Sequence, residues 1–184
     1  MQSISGLKVN AHKETALKAI IGFFLLFSSS QISIPIEPVP INLGTIGVMS
    51  LGLLFDRRTA LISTTSFLFL GAIGFPVFAN FGFGFPVLLG PRGGYLIGYL
   101  LAVYIMTSLK KYLKESLLNY FIINIAGTLS VFILGIGWLS YLFGIEKALA
   151  VGFFPFILSG FIKIILLSLG IYYIKPQIFK KNVN

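Results

Sequence analysis

The feature that most constrains this chain is the way its charges are confined to short clusters. Between the clusters lie long apolar runs, near residues 15–34, 41–55, 60–75, 93–109, 117–143 and 149–174. A helix that crosses a bilayer needs roughly 20 mostly apolar residues, with a range of about 17–25. Charged residues make up only 10% of the chain and hydrophobic ones 57%, whereas a soluble domain carries about 25% charged residues. The expected fold is an all-α membrane protein of six transmembrane helices, the second short for a full span. Residues 15–174 form the membrane domain, flanked by an N-terminal tail at 1–14 and a basic tail at 175–184. No small-residue cleavage site ends the first run, which therefore reads as a retained span rather than a signal peptide. Its polar cluster Ser28-Ser29-Ser30-Gln31 is expected to face the bundle interior, because lipid would solvate it poorly.

The cations sort by side under this scheme. Lys8, Lys13, Lys18, Arg57, Arg58, Lys110, Lys111, Lys114, Lys175, Lys180 and Lys181 fall on one side, Arg92 and Lys147 on the other, and Lys163 inside the sixth run. The positive-inside rule then makes the protein multi-pass with both termini cytoplasmic. It also explains the net charge of +9 as a rim facing anionic headgroups, so no nucleic-acid partner is expected. Tyr112, Tyr120, Tyr172 and Tyr173 fall near inner boundaries, and Trp138 and Tyr141 near an outer one, as an aromatic belt does.

Enzyme chemistry is not expected. The acids are Glu14, Glu37, Asp56, Glu115 and Glu146, all in tails or loops, and no two can act as an acid/base pair within a span. There is no cysteine, and the single histidine is His12 in the tail, so no metal site is expected. Nucleotide-binding GxGxxG and GxxxxGK[ST] motifs are absent, and no cofactor is called for. The chain could not hydrolyse ATP without a partner.

The candidate ligand site is the stretch at 77–95, VFANFGFGFPVLLGPRGGY, a Gly/Pro-rich outer loop between helices 3 and 4. The tetrapeptide GFPV occurs at 74–77 and again at 84–87, which reads as two similar turns of one re-entrant loop. Non-helical backbone at membrane depth is tolerated only where it is buried in protein or lines a cavity. Asn80 offers amide donors and an acceptor, suited to a urea-like group or to satisfying its own turn. Arg92 suits a carboxylate or the outer headgroups. Tyr95, with Phe78, Phe81, Phe83 and Phe85, could wall an apolar slot. Lys163 lies mid-way along the sixth run, with no acid in any span to pair with it. A charge there costs about 2.5–3.5 kcal/mol on insertion scales. Snorkelling to an interface is one solution; holding an anionic ligand is the one favoured here. Ahead of the loop, IPIEPVPI at 34–41 carries three prolines and reads as extended chain.

Three blocks, IPIEPVPINLGT, LGAIGFPVFA and LLGPRGGYLIGYLLA, resemble the BioY family, the substrate-binding S components of energy-coupling factor (ECF) biotin transporters. The resemblance covers most of 15–163. It implies a six-helix S component in a bacterial plasma membrane that binds biotin from outside. It also implies a transmembrane coupling protein and two cytoplasmic ATPases as partners. Asn80 stands at the family's loop Asn, Tyr95 in its GGY block, and Lys163 at the lysine of its sixth-helix motif, which usually reads PF-x-x-G-D-x-x-K. With Arg92 these are the expected substrate-binding residues. This chain reads PFILSGFIK at 155–163, with Gly160 at the family's Asp position, and Gly44 stands where the family commonly has Gln. Of the small-xxx-small face by which S components dock on their coupling protein, only Thr15-xxx-Ala19 remains. Two alternatives stay open: an S component for another small anionic solute, and a stand-alone facilitator or channel.

Overall fold

The computed structural model of the protein describes residues 4–180, with side chains for 12–175. Residues 1–3 and 181–184, and the side chains of Lys8 and Lys180, which entered the expected charge count, lie outside the described residues. The chain is mostly helical. Helix α1 is Ile4–Gln31, followed by β1 (Ser33–Ile34) and β2 (Ile41–Asn42), then α2 (Gly44–Leu54) and α3 (Arg57–Ala72). A 3-10 turn, Ala79–Phe81, and α4 (Phe85–Leu89) lead to α5 (Gly93–Tyr112), α6 (Leu117–Phe143), α7 (Ile145–Gly152) and α8 (Phe154–Lys180). Among the described residues, three helices are long and apolar enough to cross a membrane: Gly93–Tyr112, Leu117–Phe143 and Phe154–Lys175.

The differences from expectation have local causes. Helix α1 begins well inside the predicted polar tail, because a helix that leaves an apolar layer can continue on good polar helix formers. Glu14 and Lys18 support it as an i,i+4 ion pair at 2.6 Å. Helix α2 has 11 residues, about 16 Å at 1.5 Å per residue. The sixth predicted helix, 149–174, is two helices broken at Phe153. Pro155 sits in the first turn of α8, where its missing N–H is harmless. Continued upstream, the same ring would meet the carbonyl four residues back. The proline-rich loop, expected to be extended, instead bends at 37–39 and doubles back, so that its ends pair antiparallel, Ser33 with Asn42 and Ile34 with Ile41.

Close packing of α5 on α6 organises the rest. A Cβ at Gly94 would stand 2.4 Å from the Leu134 carbonyl oxygen, and one at Gly98 2.9 Å from Val131 Cα. Small residues four apart let the two backbones touch. One core gathers Leu26, Val48, Leu51, Phe67, Phe78 and Tyr95, and a second gathers Met49, Met106, Ile123 and Ile164. Polar side chains inside the bundle join helices. Asn124 Nδ2 donates to Ser168 Oγ at 2.9 Å, tying α6 to α8. Lys110 Nζ donates to the Leu53 and Phe55 carbonyls at 3.1 and 2.5 Å, and so closes the C-terminal end of α2 with a cation. Asp56 caps α3, accepting from Thr59 N at 3.1 Å and Thr59 Oγ1 at 2.5 Å.

Candidate functional site

The loop at 73–92 is held in place from three sides. From α1, Gln31 Nε2 donates to the Val77 and Phe78 carbonyls at 2.9 and 3.2 Å, and its Oε1 accepts from Phe81 N at 3.0 Å. From α3, the Gly71 carbonyl accepts from Gly84 N at 2.6 Å. The Phe78 ring covers Gly71 so closely that a Cβ there would stand 2.1 Å from it. From α6, Trp138 Nε1 donates to the Gly90 carbonyl at 2.9 Å; this tryptophan, expected only as a belt residue, also fastens the loop. Asn80 and Phe81 sit at φ 59° and 54°, a left-handed conformation costly for a phenylalanine. The Gln31 bond to the Phe81 amide helps to hold it there.

Behind the loop are two adjoining cavities that share Val39, Pro40, Asn42, Tyr95 and Tyr99 as walls. The larger, about 520 Å³ including its open part, is completed by Thr45 and Met49 of α2, Thr128, Val131 and Phe132 of α6, and Phe156, Ser159, Gly160 and Lys163 of α8. The smaller, about 370 Å³, adds Ser30, Phe67, Phe78, Ala79, Val87, Arg92 and Leu96. Their lining is mostly apolar with a few placed polar groups, as in small-molecule sites. Aromatic rings form most of one wall: Tyr95 stacks on Phe156 at 6.2 Å and meets Phe132 edge-on at 6.4 Å.

Lys163 is buried, at 7% exposure. Its Nζ donates to the Asn42 carbonyl at 2.5 Å and to Thr45 Oγ1 at 3.2 Å. An ammonium has three donors. Among the described residues Lys163 makes no ion pair, so its charge has no carboxylate partner. The lysine thus does not snorkel outward; it bridges α8 to the β2–α2 junction across the larger cavity. Tyr95 turns its ring to both cavities, while its hydroxyl donates to the Gly152 carbonyl at 2.8 Å. Arg92 lines the smaller cavity, with Nη2 3.6 Å from Glu37 Oε1 of the proline-rich loop.

Of the four expected site residues, the structure brings Lys163, Tyr95 and Arg92 to the cavity walls. Asn80 lines neither cavity. It is exposed, and its Oδ1 accepts from Ser33 Oγ at 2.5 Å, which ties the loop to β1. Of the four loop phenylalanines, only Phe78 faces inward, at 1% exposure. Phe81, Phe83 and Phe85 are 63%, 58% and 61% exposed and line neither cavity.

Several wall residues were not singled out from the sequence. Tyr99 lies one helical turn from Tyr95 on the same face, a spacing that could have revealed it. Asn42 and Thr45 sit within the PINLGT block. Asn42 Oδ1 accepts from Gly44 N at 2.8 Å, and a Cβ at Gly44 would stand 2.6 Å from the Tyr99 hydroxyl. Tyr99 and Asn42 therefore occupy the space that a side chain at position 44 would need. At Gly160 the opposite holds. A Cβ there would meet only Phe132 Cε2, at 3.9 Å, so the wall is open where the helix motif usually carries an acid. Ala19, half of the remaining small-residue pair on α1, is buried, and its carbonyl accepts from Ser63 Oγ of α3 at 2.9 Å.

A model of the BioY family matches residues 4–180. A probable biotin transporter BioY of Rickettsia prowazekii is 36% identical over 169 residues, 92% of this chain and 87% of the relative. The biotin transporter BioY of Thermotoga maritima is 36% identical over 154 residues, 83% of this chain and 90% of that protein. Among solved structures, the S-component for biotin from an ECF-type ABC transporter matches with a TM-score of 0.69 and 27% identity, over 95% of each chain.

Proposed function

The chain belongs to the BioY family, and on that premise we propose that it is the substrate-capturing S component of an ECF transporter, that its substrate is biotin, and that it is not itself an enzyme. Biotin pairs an apolar bicyclic body with a ureido group at one end and a carboxylate at the other. A cavity with aromatic walls and a few convergent polar groups suits such a molecule. The observation that carries the reading is Lys163, a buried cation at the cavity wall that among the described residues bonds only a carbonyl and a hydroxyl. Such a cation favours a ligand that brings negative or acceptor character. Tyr95 and Tyr99 flank the ligand body, Lys163 holds an acceptor group of it, and Arg92 stands at the second cavity, where it can exchange Glu37 for a ligand carboxylate. Asn80 acts at the rim, by holding the loop to β1 through Ser33 or by meeting the ureido group once the ligand has entered.

The membrane arrangement in this proposal is six spans in residues 15–174, with both tails cytoplasmic and the cavities opening outward. Helices α1, α2 and α3 complete the bundle around the three helices of full span length. The charge distribution supports this orientation. Transport itself is assigned to partners, a transmembrane coupling protein and two cytoplasmic ATPases, because the chain has no nucleotide-binding motif.

Titration of the purified protein with biotin is the direct test. Saturable one-to-one binding is expected, with an upward shift in melting temperature, since a ligand that binds only the folded state stabilises it. Saturable binding of another vitamin without binding of biotin refutes the substrate. Biotin uptake by vesicles that contain this chain alone refutes the division of labour and favours a facilitator.

A further inference from the structure

Thr128 has a hydroxyl that the fold does not use. Helical serines and threonines inside an apolar bundle commonly return their hydroxyl to the carbonyl four residues back. Here Ser63 does so to Thr59 at 3.0 Å, Thr64 to Ala60 at 2.9 Å, Thr107 to Val103 at 2.7 Å and Ser130 to Ala126 at 2.7 Å. Thr128 makes no such bond to Asn124. Its Oγ1 is buried with no hydrogen-bond partner among the described residues, and the residue is 8% exposed. It stands in the wall of the larger cavity together with Gly160 and Lys163. It also borders an apolar groove between α6 and α8 that includes Gly160 and Phe132. Thr128 from α6 and Gly160 from α8 therefore line the same two spaces along the α6–α8 seam, where the wall lacks a side chain from α8.

A buried polar group without a partner is retained against a cost, and here the cost falls in the cavity wall that also carries the buried cation. We propose that Thr128 is a specificity-determining residue whose Oγ1 hydrogen-bonds the polar group of the ligand that Lys163 meets, on the stretch of wall left bare by Gly160. The proposal rests on the biotin reading above and adds a contact to it. A hydroxyl can donate or accept, so it can serve either the carbonyl or an N–H of a ureido group. A carboxylate at position 160 could only accept. The cavity of this chain is thus less restricted to ligands with an N–H donor at that point.

The test uses the full chain, purified, with biotin as the probe, and compares the wild type with Thr128→Val and Thr128→Ser. Valine keeps the shape and removes the hydroxyl. One lost hydrogen bond is expected to raise the dissociation constant about tenfold. Serine keeps the hydroxyl and is expected to stay within about threefold of the wild type. The discriminating readout is the ligand-free melting temperature. Removing an unpartnered hydroxyl leaves it unchanged or higher, whereas a residue needed for packing lowers it. Affinity unchanged in Thr128→Val overturns the proposal, as does a fall in ligand-free melting temperature shared with a Thr128→Ser variant that binds no better. If the wild type binds no biotin, the substrate reading fails first, and the proposal with it.

Discussion

Restoring an acid at position 160 is expected to tighten biotin binding. The substitution Gly160→Asp places Cβ in open space, with Phe132 Cε2 at 3.9 Å its nearest neighbour, an ordinary van der Waals contact. Position 160 is three residues before Lys163, so the two side chains share a face of α8. The Lys163 charge on that face limits the penalty of burying the new carboxylate, by proximity and without drawing on the N–H that meets the ligand. Exchanging a helical glycine also recovers a few tenths of a kcal/mol of helix propensity. A carboxylate accepting from a ureido N–H forms a charge-assisted bond, which contributes about 1.5–3 kcal/mol. At about 1.4 kcal/mol per decade, the dissociation constant should fall between about tenfold and a hundredfold. Isothermal titration of wild type, Gly160→Asp and Gly160→Asn measures it, with the asparagine giving a smaller gain because its acceptor is neutral. Unchanged or weaker binding in a Gly160→Asp protein as heat-stable as the parent refutes this account of the α8 wall. A large loss of stability refutes the open space.

Three further outcomes are expected. Lys163→Met removes the buried cation and should weaken biotin binding at least about tenfold, read by titration. Gln31→Leu removes three hydrogen bonds to the loop; at about 2–4 kcal/mol in total the melting temperature should fall by about 5–15 °C, and binding should weaken because the loop supplies Phe78 and Ala79 to the cavity. At the N-cap of α3, burial opposes ionisation of Asp56, but the bonds from Thr59 outweigh it and hold the carboxyl below its ordinary range. Its contribution, about 1 kcal/mol by comparison with Asp56→Ala, is therefore complete above the unfolded carboxyl pKa and lost as pH falls through the lower folded value. The gap in melting temperature between wild type and Asp56→Ala should be full at neutral pH and close in strong acid.

Apolar run length and charge placement made the helical membrane fold legible, and α6 falls where its run predicted. What they could not reveal is how a run is divided. The break at Phe153 depends on Pro155 acting four residues upstream, and hydropathy does not register it. Lys163 and Tyr95 were legible because a charge in oil and a glycine-flanked aromatic are conspicuous in themselves. Thr128, Thr45 and Asn42 were not. Each is an ordinary polar residue, and its place at the cavity follows from the crossing of α6, α8 and the β2–α2 junction, which no single stretch of sequence encodes. Asn80 was conspicuous as an amide in apolar, glycine-rich surroundings, and its hydrogen-bond partner is Ser33 of β1.

The Gln31 clamp also bears on time. One side chain of α1 fixes three groups of a loop that forms a wall of the smaller cavity. Parting the loop from α1 breaks all three bonds together, at about 2–4 kcal/mol. At equilibrium the parted form is then about one molecule in 30 to one in 1,000. For a ligand that leaves by this wall, the escape rate is scaled by that fraction whatever the strength of its own contacts. Helix α1, which supplies no more than Ser30 to either cavity, would thereby regulate how long a captured molecule stays.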